Sequence, residues 1–318
     1  MKTALCLAAG AALCAARTER PVAAPLPIPT QEIAPGVHMP LVGAGTWQYN
    51  DSVVIGSLCD SFAAGYTFVD TAWGYGNQRG VGAAIADCWE GTREELFITT
   101  KIPGGLNTTE VMQYHEQNLE WLGVDYVDLL LTHFPCDWAE TPERCNKARR
   151  QEQWYAMEAL VDAKTTRSIG VSHYCKSHID DVQEIATVPI ALNQVEYHIG
   201  SGDIDDVIEY CADNEIYFQS FSPLCGPCTY NASDSLVSGD QVTAIGAAHN
   251  VSGAQVSLKF VVQQAQAGKY MAGVIPKSDN PAHIAANIDL FSFNLTSDEM
   301  DQLTATTVPP AEEGDCNA

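Results

Sequence analysis

The chain has 318 residues, 46% of them hydrophobic, and carries a formal net charge of −24 at pH 7. It is longer than a typical domain, but a single (β/α)8 barrel commonly reaches this size, and the apolar content is normal for a globular protein with a substantial core. The charge excludes nucleic acid and anionic membranes as expected partners, because both repel an acidic surface.

The N-terminal residues differ in character from the rest of the chain. Lys2 supplies a positive start, and an apolar stretch runs from Ala4 to Ala16, with small residues near its end. This stretch is too short to span a bilayer and is typical of a signal-peptide core. We therefore predict entry into the secretory pathway, to a lumenal or secreted location, with no membrane attachment once the leader is removed. An organellar or cytoplasmic location is the alternative.

Sequons and cysteines bear on the same question. N-x-S/T sequons occur at Asn50, Asn107, Asn231, Asn250 and Asn294. An oxidising compartment favours a Cys136–Cys145 disulfide, which would close the long loop after His133, and less strongly a Cys225–Cys228 disulfide in the loop after Phe221. The alternative is reduced, buried thiols. No second cysteine pair with zinc-like spacing accompanies the C-G-P-C segment, so no metal site is predicted.

The chain alternates between strand-like and helix-like segments. A β-hairpin is predicted over Ile33–Pro40, with Pro35 and Gly36 at its turn. The strands predicted after it are Leu41–Gly45, Thr67–Asp70, Leu96–Thr100, Tyr126–Thr132, Ser168–Val171, Ala191–Gln194, Tyr217–Phe221 and Gly273–Pro276. The amphipathic stretches between them include Val53–Ala64, Asn77–Cys88, Thr109–Leu122, Gln151–Ala163 and Ala254–Ala267.

Eight apolar strands that alternate with helices indicate a parallel sheet closed into a TIM barrel. An open doubly wound sheet is the alternative, but the first strand is not followed by a G-x-G-x-x-G turn. The predicted organisation is a signal peptide over residues 1–20, a Pro-rich lead-in over 21–31, one barrel domain over 32–310 and a tail over 311–318.

Four polar residues follow short apolar runs at predicted strand ends: Asp70, Tyr75, Lys101 and His133. Each alone has an ordinary structural explanation, such as a helix cap, a packing phenol, a solvated amine or a buried donor. Together, a carboxylate, a phenol, an amine and an imidazole at the C-terminal ends of barrel strands are typical of a proton-transfer site.

With these residues in order, the chain resembles the aldo-keto reductase family from about Ile33 to Leu303. The resemblance also rests on I-G-V-S-H-Y at 169–174, N-Q-V-E-Y-H at 193–198, S-F-S-P-L at 220–224 and V-I-P-K-S at 274–278. It implies a monomeric enzyme that reduces a small aldehyde or ketone to an alcohol with NADPH. Tyr75 would be the proton donor, Lys101 with Asp70 would lower the pKa of its phenol, and His133 would orient the carbonyl.

The resemblance also implies ligand-binding positions. Ser172, His173 and Gln194 would hold the nicotinamide carboxamide, and Lys277 with Ser278 would bind the 2′-phosphate. The remaining expected cofactor contacts are Gly45, Thr46, Trp47, Asp70, Phe221, Ser222, Leu224, His283 and Asn287. The expected substrate contacts are Trp47, Trp73, His133, Phe134 and Trp138, whereas Trp121 and Trp154 are expected to pack between helices.

Three positions depart from the family pattern. His173 replaces the usual Asn, and Gln78 replaces a Glu beside the active-site turn. His283 stands where an Arg usually pairs with the 2′-phosphate, and an imidazole offers neither the guanidinium fork nor a full charge at pH 7. Because Asp279 would also repel a phosphate, the preference for NADPH over NADH is expected to be reduced, and NADH remains a possible cofactor.

Other functions are less consistent with these residues. A nucleotide-binding regulatory or structural protein on the same barrel need not keep a proton donor such as Tyr75. Relatives that reduce C=C bonds carry Glu in place of the active-site His, whereas this chain has His133. A metal-dependent barrel hydrolase would need an H-x-H motif after its first strand, and none is present.

Overall fold

The structure is a computed structural model that describes residues 27–137, 139, 141–225, 232–268 and 270–306. The predicted signal peptide and tail, most of the lead-in, and Trp138, Cys228 and Asn231 lie outside these ranges. The strands are β1 (Thr30–Ala34), β2 (Val37–Pro40), β3 (Ala44–Gly45), β4 (Phe68–Asp70), β5 (Phe97–Ile102), β6 (Val127–Thr132), β7 (Thr166–Ser172), β8 (Leu192–Glu196), β9 (Tyr217–Phe221) and β10 (Met271–Val274).

The helices cover the outside of the sheet. They are α1 (Asp51–Ala63), α2 (Gln78–Cys88), α3 (Thr108–Leu122), α4 (Lys147–Asp162), α5 (Lys176–Gln183), α6 (Val207–Asp213), α7 (Ala232–Val237), α8 (Asp240–His249), α9 (Gly253–Gln266), α10 (Pro281–Ile288) and α11 (Ser297–Thr304). Among the described residues, no helix is both long and apolar enough to cross a bilayer.

The eight strands from β3 to β10 form one parallel sheet in sequence order. Its edges meet, because Val42 pairs with Val274 and the amide of Gly43 donates to the Val274 carbonyl at 2.9 Å. The prediction of a (β/α)8 barrel is therefore confirmed over an open doubly wound sheet. Closure requires a glycine at 273, where φ is +89° and a Cβ atom would lie 2.0 Å from the Leu41 carbonyl oxygen.

The predicted N-terminal hairpin is present and closes one end of the barrel. Strand β1 pairs antiparallel with β2, with Thr30 opposite Pro40. Its apolar residues join the side chains inside the barrel in one buried cluster, which comprises Ile33, Val37, Met39, Phe68, Phe97, Leu129, Leu131, Ala191, Leu192, Ala272 and Ile275. A second, larger core lies between the strands and the helices. With the hairpin filling the base, the C-terminal ends of the strands are left to form a site.

Disulfides tie helices and loops together. Cys136 and Cys145 are bonded, so of the two states left open for this pair, disulfide and reduced thiols, the structure has the disulfide. Cys59 and Cys88 form a second bridge between α1 and α2. That pair was not predicted, because its partners are 29 residues apart and only helix packing brings them together. Cys175 and Cys225 each take part in a disulfide bond. The expected partner of Cys225, Cys228, lies outside the described residues.

His115 is a buried titratable group on α3. Its side chain is 1% exposed, and its Nε2 atom lies 3.2 Å from the carbonyl oxygen of Thr165, which can only accept a hydrogen bond. Burial lowers the pKa of His115 to about 4. The folded protein therefore favours the neutral ring, while the unfolded chain takes up a proton near pH 6.5. The contribution of His115 to the free energy of unfolding is complete above about pH 6.5 and decreases as the pH falls towards 4.

We expect acidification from pH 7 to pH 4.5 to lower the free energy of unfolding by about 2 kcal/mol more in the wild type than in a His115→Gln variant. Glutamine can still donate to the Thr165 carbonyl but cannot take up the proton. Urea unfolding at the two pH values measures the difference. Other acid-sensitive groups contribute equally to both proteins, so equal losses would show that His115 is not the group responsible.

Candidate active site

A buried ion pair lies at the C-terminal end of the barrel. The Nζ atom of Lys101 lies 2.6 Å from Oδ1 of Asp70, and both side chains are at most 2% exposed. The same ammonium donates to the Tyr75 hydroxyl at 3.1 Å and to the Thr71 carbonyl at 3.1 Å. All three donor positions of the ammonium thus have an acceptor, and one of the acceptors is the phenol that faces the cavity.

Two glutamines extend this network to the other side of the barrel. Nε2 of Gln194 donates to Oδ2 of Asp70 at 2.8 Å and to Oε1 of Gln219 at 2.7 Å. Gln219 was not among the predicted residues, although its position in the middle of an apolar strand is a signal that a polar side chain points into the barrel. Both oxygens of Asp70 are therefore occupied by donors, which fixes the carboxylate and, through it, Lys101.

The phenol of Tyr75 remains protonated. Burial raises its pKa above 10, and this outweighs the effect of Lys101, which lowers it. Lys101 does lower the pKa of Tyr75, as predicted, but burial of the phenol and the charge of Asp70 raise it, and the net change is an increase. For Lys101, burial alone would lower the pKa, but Asp70 and Tyr75 raise it. The arrangement is a neutral phenol beside a permanent ammonium.

His133 follows β6 and faces the phenol. Its ring centroid lies 5.5 Å from that of Tyr75, in an edge-to-face arrangement. Burial, with the charge of Lys101 and the nearby His173, lowers the pKa of His133 well below its ordinary value. The imidazole is therefore neutral at physiological pH, in which form it carries one N–H donor and one acceptor nitrogen.

The turn that carries Tyr75 is anchored on both sides. Nδ2 of Asn77 donates to the carbonyl oxygens of Thr46 and Tyr49, at 2.8 and 3.0 Å. On the other side, Nε1 of Trp73 donates to Oε1 of Gln117 at 2.6 Å. The indole of Trp73 also stacks on that of Trp121, with ring centroids 6.0 Å apart. Trp73 therefore packs against α3, and the prediction that it lines the substrate pocket is corrected.

A cavity of about 310 Å³ opens above the ion pair. Its walls are Gly45, Thr46, Trp47, Gln48, Asp70, Gly74, Tyr75, His133, Phe134, His173, Gln194, Phe221, Ser222, Pro223, Leu224, Ile275, Pro276 and Lys277. Most of the predicted cofactor and substrate positions are thus brought together. Gln48, Gly74, Pro223, Ile275 and Pro276 were not predicted, because their place in the wall depends on how the loops fold over the barrel.

Several predicted positions lie outside the cavity wall. Ser172 is buried behind it, and its hydroxyl donates to the Gln194 carbonyl at 2.8 Å. Ser278 lies beyond Lys277, and its carbonyl accepts from the Ser57 hydroxyl on α1. His283 is exposed on α10, and Asn287 is buried on the same helix. Trp138 lies outside the described residues.

Aromatic rings form a continuous wall along one side of the cavity. The Phe134 ring stacks on His133, with centroids 4.7 Å apart, and on His173, with centroids 4.2 Å apart. Phe221 follows, tilted against His173 at 4.8 Å. Such a wall presents a flat apolar face beside the hydrogen-bonding groups of Asp70 and Tyr75, which suits a planar ring and a small polar substrate.

Of the described residues that line the cavity, Lys277 is the one with a cationic side chain. Its Nζ atom reaches across the opening to Oε1 of Gln48 at 3.3 Å and lies 4.7 Å from the centre of the Tyr49 ring. Gln48, like His173 and Ser222, adopts the left-handed backbone conformation, with φ of +65°, +59° and +46°. Strained residues of this kind cluster at ligand sites.

One group of possible metal ligands occurs in the described part of the chain. Side-chain atoms of Glu196, His198 and Cys225 lie within 4.8 Å of one another. Because Cys225 is disulfide-bonded, its sulfur cannot act as a thiolate ligand.

Comparisons with known proteins agree with this geometry. Residues 41–307 match the model of the aldo/keto reductase family. The chain is 32% identical over 305 residues to a probable NAD(P)H-dependent D-xylose reductase of Aspergillus clavatus, covering 87% of this chain and 90% of that protein. It is 33% identical over 276 residues to an aldo-keto reductase of Mycolicibacterium vanbaalenii, covering 86% and 90%. The crystal structure of a Bombyx mori aldo-keto reductase in complex with NADP superposes with a TM-score of 0.78 at 27% identity, covering 88% and 92%. The chain therefore belongs to the aldo/keto reductase family.

Proposed function

We propose that the protein reduces a small aldehyde or ketone to the alcohol with NADPH. The observation that carries the proposal is the Tyr75 hydroxyl, which faces the cavity and lies 3.1 Å from the Lys101 ammonium. A proton donor held against a fixed positive charge is suited to a reaction in which negative charge develops on a substrate oxygen. The similarity to a probable NAD(P)H-dependent D-xylose reductase supports the same chemistry.

Tyr75 supplies the proton in this mechanism. As the carbonyl carbon is reduced, its oxygen gains negative charge, and the neutral phenol donates a proton to it. The phenolate left on Tyr75 is stabilised by Lys101, whose ammonium stays charged because Asp70 neutralises it. Burial disfavours the phenolate before the reaction, so the proton is present when substrate binds.

His133 orients the substrate. Its neutral ring can donate one hydrogen bond to the carbonyl oxygen without placing a second cation in the cavity. Trp47 and Phe134 provide apolar surface at the same end. This combination admits aromatic aldehydes, sugars and small ketones alike, so the substrate class we propose is a small carbonyl compound with an apolar or hydroxylated chain.

The cavity residues fit a nicotinamide dinucleotide. Phe221 offers a flat face for the nicotinamide ring, and His173 and Gln194, which line the same cavity in front of the buried Ser172, would hold the carboxamide. When bound, the reduced cofactor supplies the hydride. Ser222 and Leu224 line the same cavity and would contact the pyrophosphate, and Lys277 together with Ser278 would hold the 2′-phosphate. Gly45, Thr46 and Trp47 also line the cavity and would contact the cofactor.

The residues proposed to surround the 2′-phosphate favour NADPH over NADH only moderately. Lys277 is the cation of this cavity wall, but it lies near Asp279, whose charge acts on both Lys277 and Tyr49. His283 is exposed on α10, and an imidazole lacks the guanidinium fork that pairs with a phosphate. We therefore propose that NADPH is preferred and that NADH also binds.

We further propose one barrel domain over residues 32–310 that works as a monomer in the secretory pathway, after removal of residues 1–20. The disulfides support an oxidising compartment, because such bonds are rare in the cytosol. Among the sequon asparagines, Asn50, Asn250 and Asn294 are exposed, whereas Asn107 is half-buried and caps α3.

The direct test of the reaction is oxidation of NADPH and NADH in parallel, measured with a panel of carbonyl compounds. Tyr75→Phe should lower turnover by about 10²–10⁴-fold and leave NADPH binding nearly unchanged, because the phenol contacts substrate. Lys101→Met should be comparably damaging. Tyr155→Phe, on the exposed face of α4, is the matched control and should retain activity. A loss below tenfold in Tyr75→Phe, or loss of cofactor binding, would contradict the assignment.

The cofactor assignment predicts that His283→Arg widens the preference for NADPH over NADH by about tenfold or more, since a hydrogen bond to a charged group contributes about 1.5–3 kcal/mol. Dissociation constants for the two cofactors, measured by fluorescence quenching, give the ratio. Ala285→Arg places the same charge on another face of α10 and should leave the ratio unchanged. An unchanged ratio in His283→Arg would mean that the adenosine end lies elsewhere.

The proposed compartment predicts that the native protein lacks its leader and carries glycans at exposed sequons. Intact-mass measurement before and after enzymatic deglycosylation tests both points. The variants Asn50→Gln, Asn250→Gln and Asn294→Gln, made one at a time, identify the sites. A full-length, unglycosylated chain recovered from cytosol would be incompatible with the proposal.

A further inference from the structure

Two buried glutamines lie side by side on neighbouring strands inside the barrel. Gln194 on β8 pairs in register with Gln219 on β9, and the two residues are 2% and 0% exposed. Nε2 of Gln194 lies 2.7 Å from Oε1 of Gln219 and 2.8 Å from Oδ2 of Asp70. Gln194 lines the cavity, whereas Gln219 is not part of the cavity wall. Gln219 therefore acts on a bound molecule through Gln194.

The orientation of both amides follows from Asp70. The Asp70 carboxylate, paired with Lys101, only accepts hydrogen bonds, so the Gln194 atom beside it is the amide nitrogen. Because that nitrogen only donates, the Gln219 atom beside it is the amide oxygen. The hydrogen-bond network thus decides which end of each amide is the oxygen and which is the nitrogen.

The amide of Gln194 presents one unused polar atom. Both of its N–H groups are used inside the barrel, one by Asp70 and the other by Gln219. No residue within the described ranges donates to Oε1 of Gln194. This oxygen belongs to a cavity residue and only accepts, so it suits a bound group that carries an N–H donor. A bound group without a donor would leave it unpaired, which costs affinity.

Gln219 is itself held in place. Strand pairing continues on both sides of it, with Phe218 opposite Asn193 and Ser220 opposite Val195. Its own Nε2 atom lies 3.7 Å from Sδ of the buried Met39, a weak acceptor in the hairpin that closes the base of the barrel. The paired strands fix the distance between the two glutamine backbones, so a side chain of this length with a terminal acceptor reaches the Gln194 amide.

We propose that Gln219 is a positioning residue, which holds the oxygen of Gln194 towards the cavity and so selects a dinucleotide whose ring carries a carboxamide N–H donor. The inference rests on the proposed function, which places the nicotinamide carboxamide at Gln194. Without the acceptor on Gln219, one N–H of Gln194 is left unpaired, and Asp70 alone restrains the amide. The amide then turns to find another acceptor, and its oxygen no longer stays at one position.

The experiment measures dissociation constants of the full chain for NADP⁺ and for its acetylpyridine analogue, in which a methyl group replaces the NH₂ of the carboxamide, by fluorescence titration. In Gln219→Met the ratio of the analogue constant to the NADP⁺ constant should fall about threefold or more below the wild-type ratio, because a hydrogen bond between neutral groups has an effect of this size. Gln219→Leu should act in the same way. Gln219→Glu keeps an acceptor at the same reach and should retain the wild-type ratio.

The same substitution at another buried glutamine is the matched control. Oε1 of Gln153, on α4, accepts from the Leu106 amide, and neither residue lines the cavity. Gln153→Met should destabilise the fold and leave the ratio unchanged. A ratio that stays constant in Gln219→Met and Gln219→Leu overturns the proposal, and so does an equal fall in Gln219→Glu. If the wild type binds neither nucleotide, the proposed function fails and the inference fails with it.

A measurement on the wild type covers the case in which the Gln219 variants do not fold. Both Nε2 protons of Gln194 should exchange slowly with solvent in NMR spectra of isotope-labelled protein, because both are bonded inside the barrel. Rapid exchange of either proton would show that Gln219 does not hold the amide, and the proposal would be abandoned.

Discussion

The buried pair of Asp70 and Lys101 is the constraint around which the rest of the site is built. Moving two charges out of water costs several kcal/mol for each ion, and the attraction between them offsets this only when geometry and hydrogen bonding are complete. Here the pair is 2.6 Å apart, and Gln194 and the Thr71 carbonyl occupy the remaining positions. Removing either partner would leave a lone buried charge, a change that costs about 3–5 kcal/mol.

Completing that geometry draws on the whole barrel. Asp70 and Lys101 come from neighbouring strands, whereas Gln194 and Gln219 come from strands on the other side. The two sides meet only because the sheet closes, and closure depends on the glycine at 273. The buried ion pair therefore depends on the backbone conformation of Gly273, where the first and last strands of the sheet meet.

The sequence predicted the barrel and most of the polar residues at strand ends, because apolar periodicity and strand-end position are local properties. Features that depend on packing were missed. The indole of Trp73 packs against α3, where it donates a hydrogen bond to Gln117 and stacks on Trp121. The net change in the pKa of Tyr75 was not predicted, because burial cannot be weighed against the charge of Lys101 before the fold is known. The Cys59–Cys88 bridge depends on how two helices dock.

The disulfides bear on how the protein should be handled. Cys136, Cys175 and Cys225 each follow a cavity-lining residue by no more than two positions, so oxidation ties down loops that form the cavity walls. The barrel beneath them is held by strand pairing and apolar burial. Material produced in a reducing bacterial cytosol would therefore keep its secondary structure while the walls of the cavity are loosened. Recombinant preparations are best made by export to an oxidising compartment, with the thiol count verified before assays are interpreted.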